Sequence, residues 1–371
     1  MRFTIKREEF LKGLNVASRA IASKSAVPVL INFKIELDEK GLSITGSNND
    51  LSIKTLIPHK IGETEIIRNY KEGATLINAK IILEIARKME SEEITLEVID
   101  STIATIADNK SEYKLNCIKP ENYPNIDLDP DGSELVLTTA DFTLLVDQTA
   151  FAASTKRPIL MAINLEASEG LLTATATDSA RMARKIMSVP NDVEFNANVP
   201  ARTMMDIARL VETAPSVNIS ISDKKALFMF DRTIVATRLI AGEYPNTRNI
   251  VPRITNYALE VNAQDLIKAI DRANILSIDR ENVVDLSMDE ENVEISAKSS
   301  QVGSATERIE MFRYEGGELK VSFNSEFVIS AIRALGSEDV SFLFVGEMKP
   351  FVIKNPNDDS VVQVVTPVRT H

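Results

Sequence analysis

The chain has 371 residues, 44% of them apolar, and a formal net charge of −12. That length is two or three domains' worth of chain, and no apolar run approaches the roughly 18 residues that a membrane-spanning helix needs. One cysteine, two histidines and no tryptophan argue against an internal disulfide, most histidine-based metal or triad chemistry, and a groove of stacked rings.

The first residues, Met1-Arg2-Phe3-Thr4-Ile5-Lys6, lack the apolar core of a signal peptide, and with a lone thiol a reducing cytoplasm is the expected compartment. Phe3-Thr4-Ile5 predicts a short strand leading into an amphipathic helix over 7–24, with Phe10, Leu11 and Leu14 inward. A polar turn at 24–28 precedes strands at 31–37 and 41–45, the second alternating with a period of two. A second helix over 80–90 puts Ile81, Ile82, Ile85 and Met89 on one face, and a strand at 94–98 follows.

The same order then recurs. Leu135-Val136-Leu137 leads into a helix over 141–157, strands at 163–166 and 171–175, a helix over 200–212 and a strand at 217–221. Leu259-Glu260-Val261 leads into a helix over 264–280, strands at 283–288 and 293–296, a helix over 324–335 and a strand at 340–344. Asp141 and Asp265 stand where a carboxylate stabilises a helix start. The second helix of each set begins at Asn78, Pro200 and Asn324, 122 and 124 residues apart, a period of one small domain rather than of a solenoid unit. Turn-forming clusters at 127–133 and 247–257 read as linkers, and Tyr123-Pro124-Asn125 and Tyr244-Pro245-Asn246 close the first two repeats. The predicted fold class is α+β: three similar domains, 1–126, 127–252 and 253–371, each with two helices packed on antiparallel sheets.

Charge is unevenly spread. In the six predicted helices lysine and arginine outnumber carboxylates by three, leaving −15 for the rest of the chain. The polar stripe of the second helix repeats as Lys80/Glu84/Arg87, Arg202/Asp206/Arg209 and Glu326/Ser330/Arg333, growing less basic from first to third.

Catalytic constellations are missing from the sequence. There is no glycine-rich phosphate loop, metal-spaced Cys/His set or nucleophile elbow. Asp178 could pair with Asp50 or Asp147, but an aspartate binding turn amides is the simpler reading. Cys117, in an alternating strand, reads as a buried inert thiol, and Met204-Met205 as helix core. The segment Val361–Arg369 stays apolar almost to the end, so it either completes a sheet or walls an apolar cleft. No enzyme, cofactor or metal site is expected.

Several strings occur in a particular order: Met1-Arg2-Phe3-Thr4, Val27-Pro28-Val29-Leu30, Ala176-Thr177-Asp178 with Arg181-Met182-Ala183, Val199-Pro200, Gly242 with Tyr244-Pro245, and Thr366-Pro367-Val368-Arg369. In that order, and with the threefold repeat, the chain resembles the bacterial sliding clamp family, the beta subunit of DNA polymerase III, from end to end. The resemblance implies a head-to-tail homodimeric ring of the DNA clamp fold, a non-catalytic processivity factor that encircles duplex DNA without reading its sequence. Lys24, Lys156, Arg157, Arg202 and Arg280 would face DNA. Lys110, Tyr113 and Leu115 would meet Ile275, Leu276 and Glu307 of the other subunit.

The family's peptide cleft carries over to Leu160, Thr177, Arg181, Met182, Pro245, Ile250, Met348, Pro350 and the tail Val364, Val365, Thr366, Pro367, Val368 and Arg369. It would take short hydrophobic motifs of the replicative polymerase catalytic subunit, the clamp loader, repair polymerases and mismatch-repair proteins. Ser179 and Ala180 stand where many relatives have Gly-His, and Asn249 and Thr366 replace an arginine and a methionine, which bears on the rim of the cleft. The alternative reading is a repeat-domain, peptide-binding scaffold that does not encircle DNA.

Overall fold

The computed structural model describes residues 1–22, 27–211, 213–278 and 282–369. Among them are six α-helices: α1 Arg7–Ser18, α2 Ala79–Lys88, α3 Thr139–Thr149, α4 Ala201–Leu210, α5 Ala263–Asn274 and α6 Ser325–Leu335.

The helices that open the repeats stop short of the predicted ends. The apolar period runs on, but the backbone tightens into i→i−3 bonds: Ala20 N–H to Ala17 O after α1, Ala153 to Ala150 after α3, and Ser277 to Asn274 after α5. Such 3-10 turns do not propagate, so each chain leaves its helix there. Other helix termini are fixed by caps. Asn78, Asn262 and Asn324 accept N-terminal amides of α2, α5 and α6, satisfying donors that have no partner within the helix. Gly336, at φ 65°, closes α6 in the left-handed region.

The chain forms two compact units. The first comprises Met1–Thr139 and Asp206–Leu239, the second Ala140–Met205 and the chain from Ile240 onward. They cut across the repeats because strands pair between repeats. In the first unit Leu51–Pro58 pairs antiparallel with Thr233–Arg238; in the second Arg181–Ser188 pairs with Asp358–Val365.

A thirteen-stranded antiparallel sheet organises the first unit, from Ser133–Thr138 at one edge to Ile67–Lys71 at the other. α1 and α2 pack together, over a core that includes Phe3, Phe10, Leu14, Phe33, Ile44, Ile82 and Leu96. Gly46 permits the approach of α1: a Cβ there would lie 2.4 Å from Ala17 O. The second unit holds a nine-stranded and a four-stranded sheet. Its core joins Leu266 and Ile270 of α5, Ile332 of α6, and Leu286, Phe323, Phe342, Phe344 and Phe351 from the strands.

Candidate functional site

The strand Arg181–Ser188 carries the site. Side chains alternate between the two faces of a strand, and both faces are used. Val365, opposite Arg181 and Phe351, joins the main core beneath the helices. Val364, opposite Met182 and Val352, points the other way. Met182, Val352 and Val364 make a separate small cluster, with Val251, Leu343 and Val362 packed against it. An apolar group on the outer face of a sheet is the less common arrangement, since that face usually meets water.

The tail resolves into two parts. Val361–Val365 completes the sheet, between Arg181–Ser188 and Phe351–Asn355. Beyond it Thr366 N–H extends the ladder to Ala180 O at 2.9 Å, and Val368 N–H reaches Ser322 O at 2.8 Å. Pro367 is buried, while Thr366 and Arg369 are exposed. The tail is therefore sheet strand through Val365 and, beyond it, a segment held by two backbone hydrogen bonds.

The turn Asp178–Arg181 shapes one end. Asp178 Oδ1 accepts from Ala180 N–H at 2.9 Å and Arg181 N–H at 3.0 Å, and Ser179 takes φ 83°. Asp178 is thus the turn aspartate rather than half of an acid–base couple. Thr177 Oγ1 donates to Arg181 O at 2.6 Å and accepts from Ser179 N–H at 3.1 Å.

Arg181 does not enter the outer face. Its guanidinium lies 5.5 Å from the Phe151 ring centroid and 4.5 Å from that of Phe327, and its Nε donates to Asp178 Oδ2 at 2.9 Å. It fastens the strand to the α6 side, with its charge satisfied on three sides.

A strap, residues 242–251, crosses the outer face. Asn198 Nδ2 donates to Gly242 O at 2.9 Å, Tyr244 Oη accepts from Thr177 N–H at 3.1 Å, and Arg184 Nη2 donates to Thr247 O at 2.9 Å and Thr247 Oγ1 at 3.0 Å. Burial raises the Tyr244 phenol to about 12, so it stays protonated. Burial, then the nearby Arg248, lower the Arg184 pKa, and Glu166 partly offsets them. Beyond the strap's anchors, Ile250, next to Val251 of the cluster, and Met348 remain 38% and 47% exposed. Pro245 is exposed, Pro350 half-buried, and Leu160 buried in the turn Pro158–Met161.

Val251, Leu343, Val352, Arg184 and Thr247 join the group without a motif to mark them in the sequence. Phe351-Val352-Ile353 did carry a signal: an unbroken apolar run marks a strand covered on both faces.

The remaining expected positions are scattered. Lys156 and Arg157 are exposed, Ser154 Oγ accepts both their amides, and Arg157 Nη1 donates to Ser179 Oγ at 2.9 Å. Arg202 is exposed on α4; Lys24 and Arg280 lie outside the described residues. In the helix stripes Glu84 pairs with Arg87, and Asp206 with Arg209 at 3.6 Å.

Lys110 pairs with Glu90 at 2.8 Å. Tyr113 and Leu115 sit on Glu112–Ile118, which pairs with Ile103–Ala107 on one side and, on the other, only through Cys117 and Ile118. Ile275 is 69% exposed after α5, beside the half-buried Leu276. Glu307 lies on the edge strand Gly303–Ile309 and accepts from Arg272 Nη2 at 2.6 Å.

Comparison with known proteins agrees along the whole length. Residues 1–127, 136–246 and 248–369 match the N-terminal, central and C-terminal domain families of the DNA polymerase III beta subunit. A Bacillus subtilis protein, "Beta sliding clamp", is 32% identical, with all of both chains covered. Over all of both chains, the crystal structure of the B. subtilis DNA polymerase sliding clamp matches with a TM-score of 0.96 at 31% identity. That of the Streptococcus pneumoniae DNA polymerase III beta chain, again over both full chains, gives 0.95 at 30%. Three tandem matches in order, a backbone that superposes throughout and identity sustained from end to end make the chain a member of the DNA polymerase III beta subunit family, the beta sliding clamps.

Proposed function

We propose that two copies of the chain close head to tail into a ring around duplex DNA and tether the replicative polymerase and other partners to it, as a non-catalytic processivity factor. The observation that carries this reading is the end-to-end family membership. Three domains, 1–126, 127–252 and 253–371, would each contribute a helix pair to the wall of the hole. The acidic charge then lies in strands and loops, away from DNA, and the near-neutral helices turn towards it. Lys156, Arg157 and Arg202, with Lys24 and Arg280, would contact phosphates weakly. Weak contacts suit a ring held by topology, because they let it slide.

Ring closure would join the open edge of Glu112–Ile118 in one copy to that of Gly303–Ile309 in the other. Open edges are ready-made templates for strand pairing, and the exposed Tyr113 and Ile275 beside them suit a covered interface. The outer-face cluster and its rim would receive hydrophobic side chains of the polymerase catalytic subunit, clamp loader, repair polymerases and mismatch-repair proteins. The cytoplasm is the matching compartment.

Two measurements test this. Sedimentation should give twice the chain mass. Protein loaded on circular DNA should stay until the circle is cut and then run off the ends; equal loss from circular and linear DNA would overturn the reading.

A further inference from the structure

We infer that Arg184 is the positioning residue of the cleft: it sets where the strap delivers the rim. The inference rests on the cleft reading above. Arg184 follows Met182 by two positions on the same strand, so both point to the outer face. Its Nη2 holds Thr247 through the carbonyl and the hydroxyl. That same Thr247 carbonyl accepts from Ile250 N–H at 3.1 Å, so one oxygen joins the guanidinium to the turn that presents Ile250. The next residue, Val251, packs on Met182, Val352 and Val364. A shift at Thr247 is thereby a shift of the rim.

Packing alone does not fix this segment. On its other side the strap borders an open polar cavity of about 550 Å³ lined by Asn164, Asn196, Asn198, Glu166, Arg184 and Arg248, among others. Hydrogen bonds must hold what apolar contact does not, and each anchor comes from a different strand: Asn198, Thr177 and Arg184. Arg248 is kept out of the way by Glu166 Oε1 at 2.7 Å, so Arg184 is left with uncharged oxygen partners in a half-buried setting, where a hydrogen bond from a charged donor counts for most.

The other place where strands pair between repeats makes the same point from the opposite direction. There the strand Leu51–Pro58 matches Arg181–Ser188, and Lys54 occupies the position of Arg184. The position of Thr247 is taken by Ile126, which has no hydroxyl and packs against Leu30, Leu76 and Tyr123. The guanidinium and its threonine belong to the second site alone.

The test uses the full-length protein and the purified replicative polymerase catalytic subunit as the probe, with affinity and dissociation rate read by surface plasmon resonance. Arg184→Met should weaken binding about tenfold, the size expected of a change transmitted through a contact chain, mainly by faster dissociation. Arg184→Lys should recover part of the loss, and Thr247→Val should reproduce a fraction of it. Met182→Ser is the control for the cleft itself. If Met182→Ser abolishes binding while Arg184→Met binds like the unmodified protein, the role of Arg184 is overturned and the cleft stands. If Met182→Ser binds normally, the cleft reading fails. A loss in Arg184→Met that Arg184→Lys does not relieve at all, with melting temperature falling in step, would make Arg184 merely structural and also overturn the inference.

Discussion

The two places where strands pair between repeats are built to one pattern and filled differently. In the first unit Asn48 Oδ1 accepts from Asp50 and Leu51 amides at 3.0 and 2.8 Å, and Asn49 takes φ 83°. In the second Asp178 repeats those bonds and Ser179 repeats that φ. Ser47 Oγ and Thr177 Oγ1 each accept the amide two residues on, both at 3.1 Å. Leu30 and Leu160 are buried in matching Pro-initiated 3-10 turns. Frame and turn are thus the same.

The floors are not. Where Met182 faces Val364, the first unit has Ser52 facing Ala236, and the Ser52 hydroxyl is spent on Ser47 at 2.8 Å. The chain's own linker then closes the site. Tyr123 and Ile126 pack with Leu30 and Leu76, and Lys225 Nζ gathers Asp127 Oδ2 at 2.6 Å, Asp129 O at 2.9 Å and Asp131 Oδ1 at 3.3 Å. What remains is a cavity of about 290 Å³. Tyr123 marks the same divergence: its phenol is buried without a partner, whereas Tyr244 accepts from Thr177. One frame is thus lined by large apolar side chains in the second unit and filled by the chain's own residues in the first.

Making the second site resemble the first should break the comparison most severely. Met182→Ser with Val364→Ala should weaken polymerase binding by about a hundredfold, as loss of a buried anchor does, and should cost about 2–5 kcal/mol of stability by large-to-small core substitution. Isothermal titration and chemical denaturation check the two figures. Ending the chain after Thr366 should weaken binding by about tenfold through loss of the rim, while the melting temperature hardly moves, because the sheet strand ends at Val365. A large fall in melting temperature would make the tail core instead.

The first site gives smaller, structural effects. Burial opposes the Lys225 charge, but hydrogen bonds to Asp127 and Asp131 outweigh it and raise the pKa. Lys225→Met should release the linker at a cost of about 1.5–3 kcal/mol, the range for hydrogen bonds to a charged group, and leave polymerase binding intact. The smallest effect is one of pH. The Ser360 hydroxyl and amide, with Lys185, lower the Asp358 pKa against its desolvation. A depressed carboxylate stabilises the fold above the ordinary carboxylate range and loses that contribution as pH falls through its folded value. The melting-temperature gap between the unmodified protein and Asp358→Asn should therefore be present at neutral pH and close on acidification.

Much of this was legible in the sequence because periodicity reports burial directly. The second-helix faces largely held: Met204, Ile207 and Val211 are buried as the period required, while Ile85 is half-buried and Ile81 is 49% exposed. Helix ends were less legible, since an apolar period does not distinguish an α-helix from the 3-10 turn that succeeds it. The units were not legible from repeats, because pairing such as that between Arg184 and Val362 joins residues that no local pattern links. Arg181 shows the limit at the site. Its place in a motif locates the strand, but only the three-dimensional arrangement shows that its guanidinium stacks between Phe151 and Phe327. Likewise Arg184 reads from sequence as one more charged strand residue.

The most direct test of the comparison is the hydrogen-exchange footprint of the polymerase catalytic subunit on the full-length protein. Added protection is expected in residues 177–182, 245–251 and 361–369, and none in 47–52 or 236–238. Protection in both sets, or in the first unit alone, would contradict it.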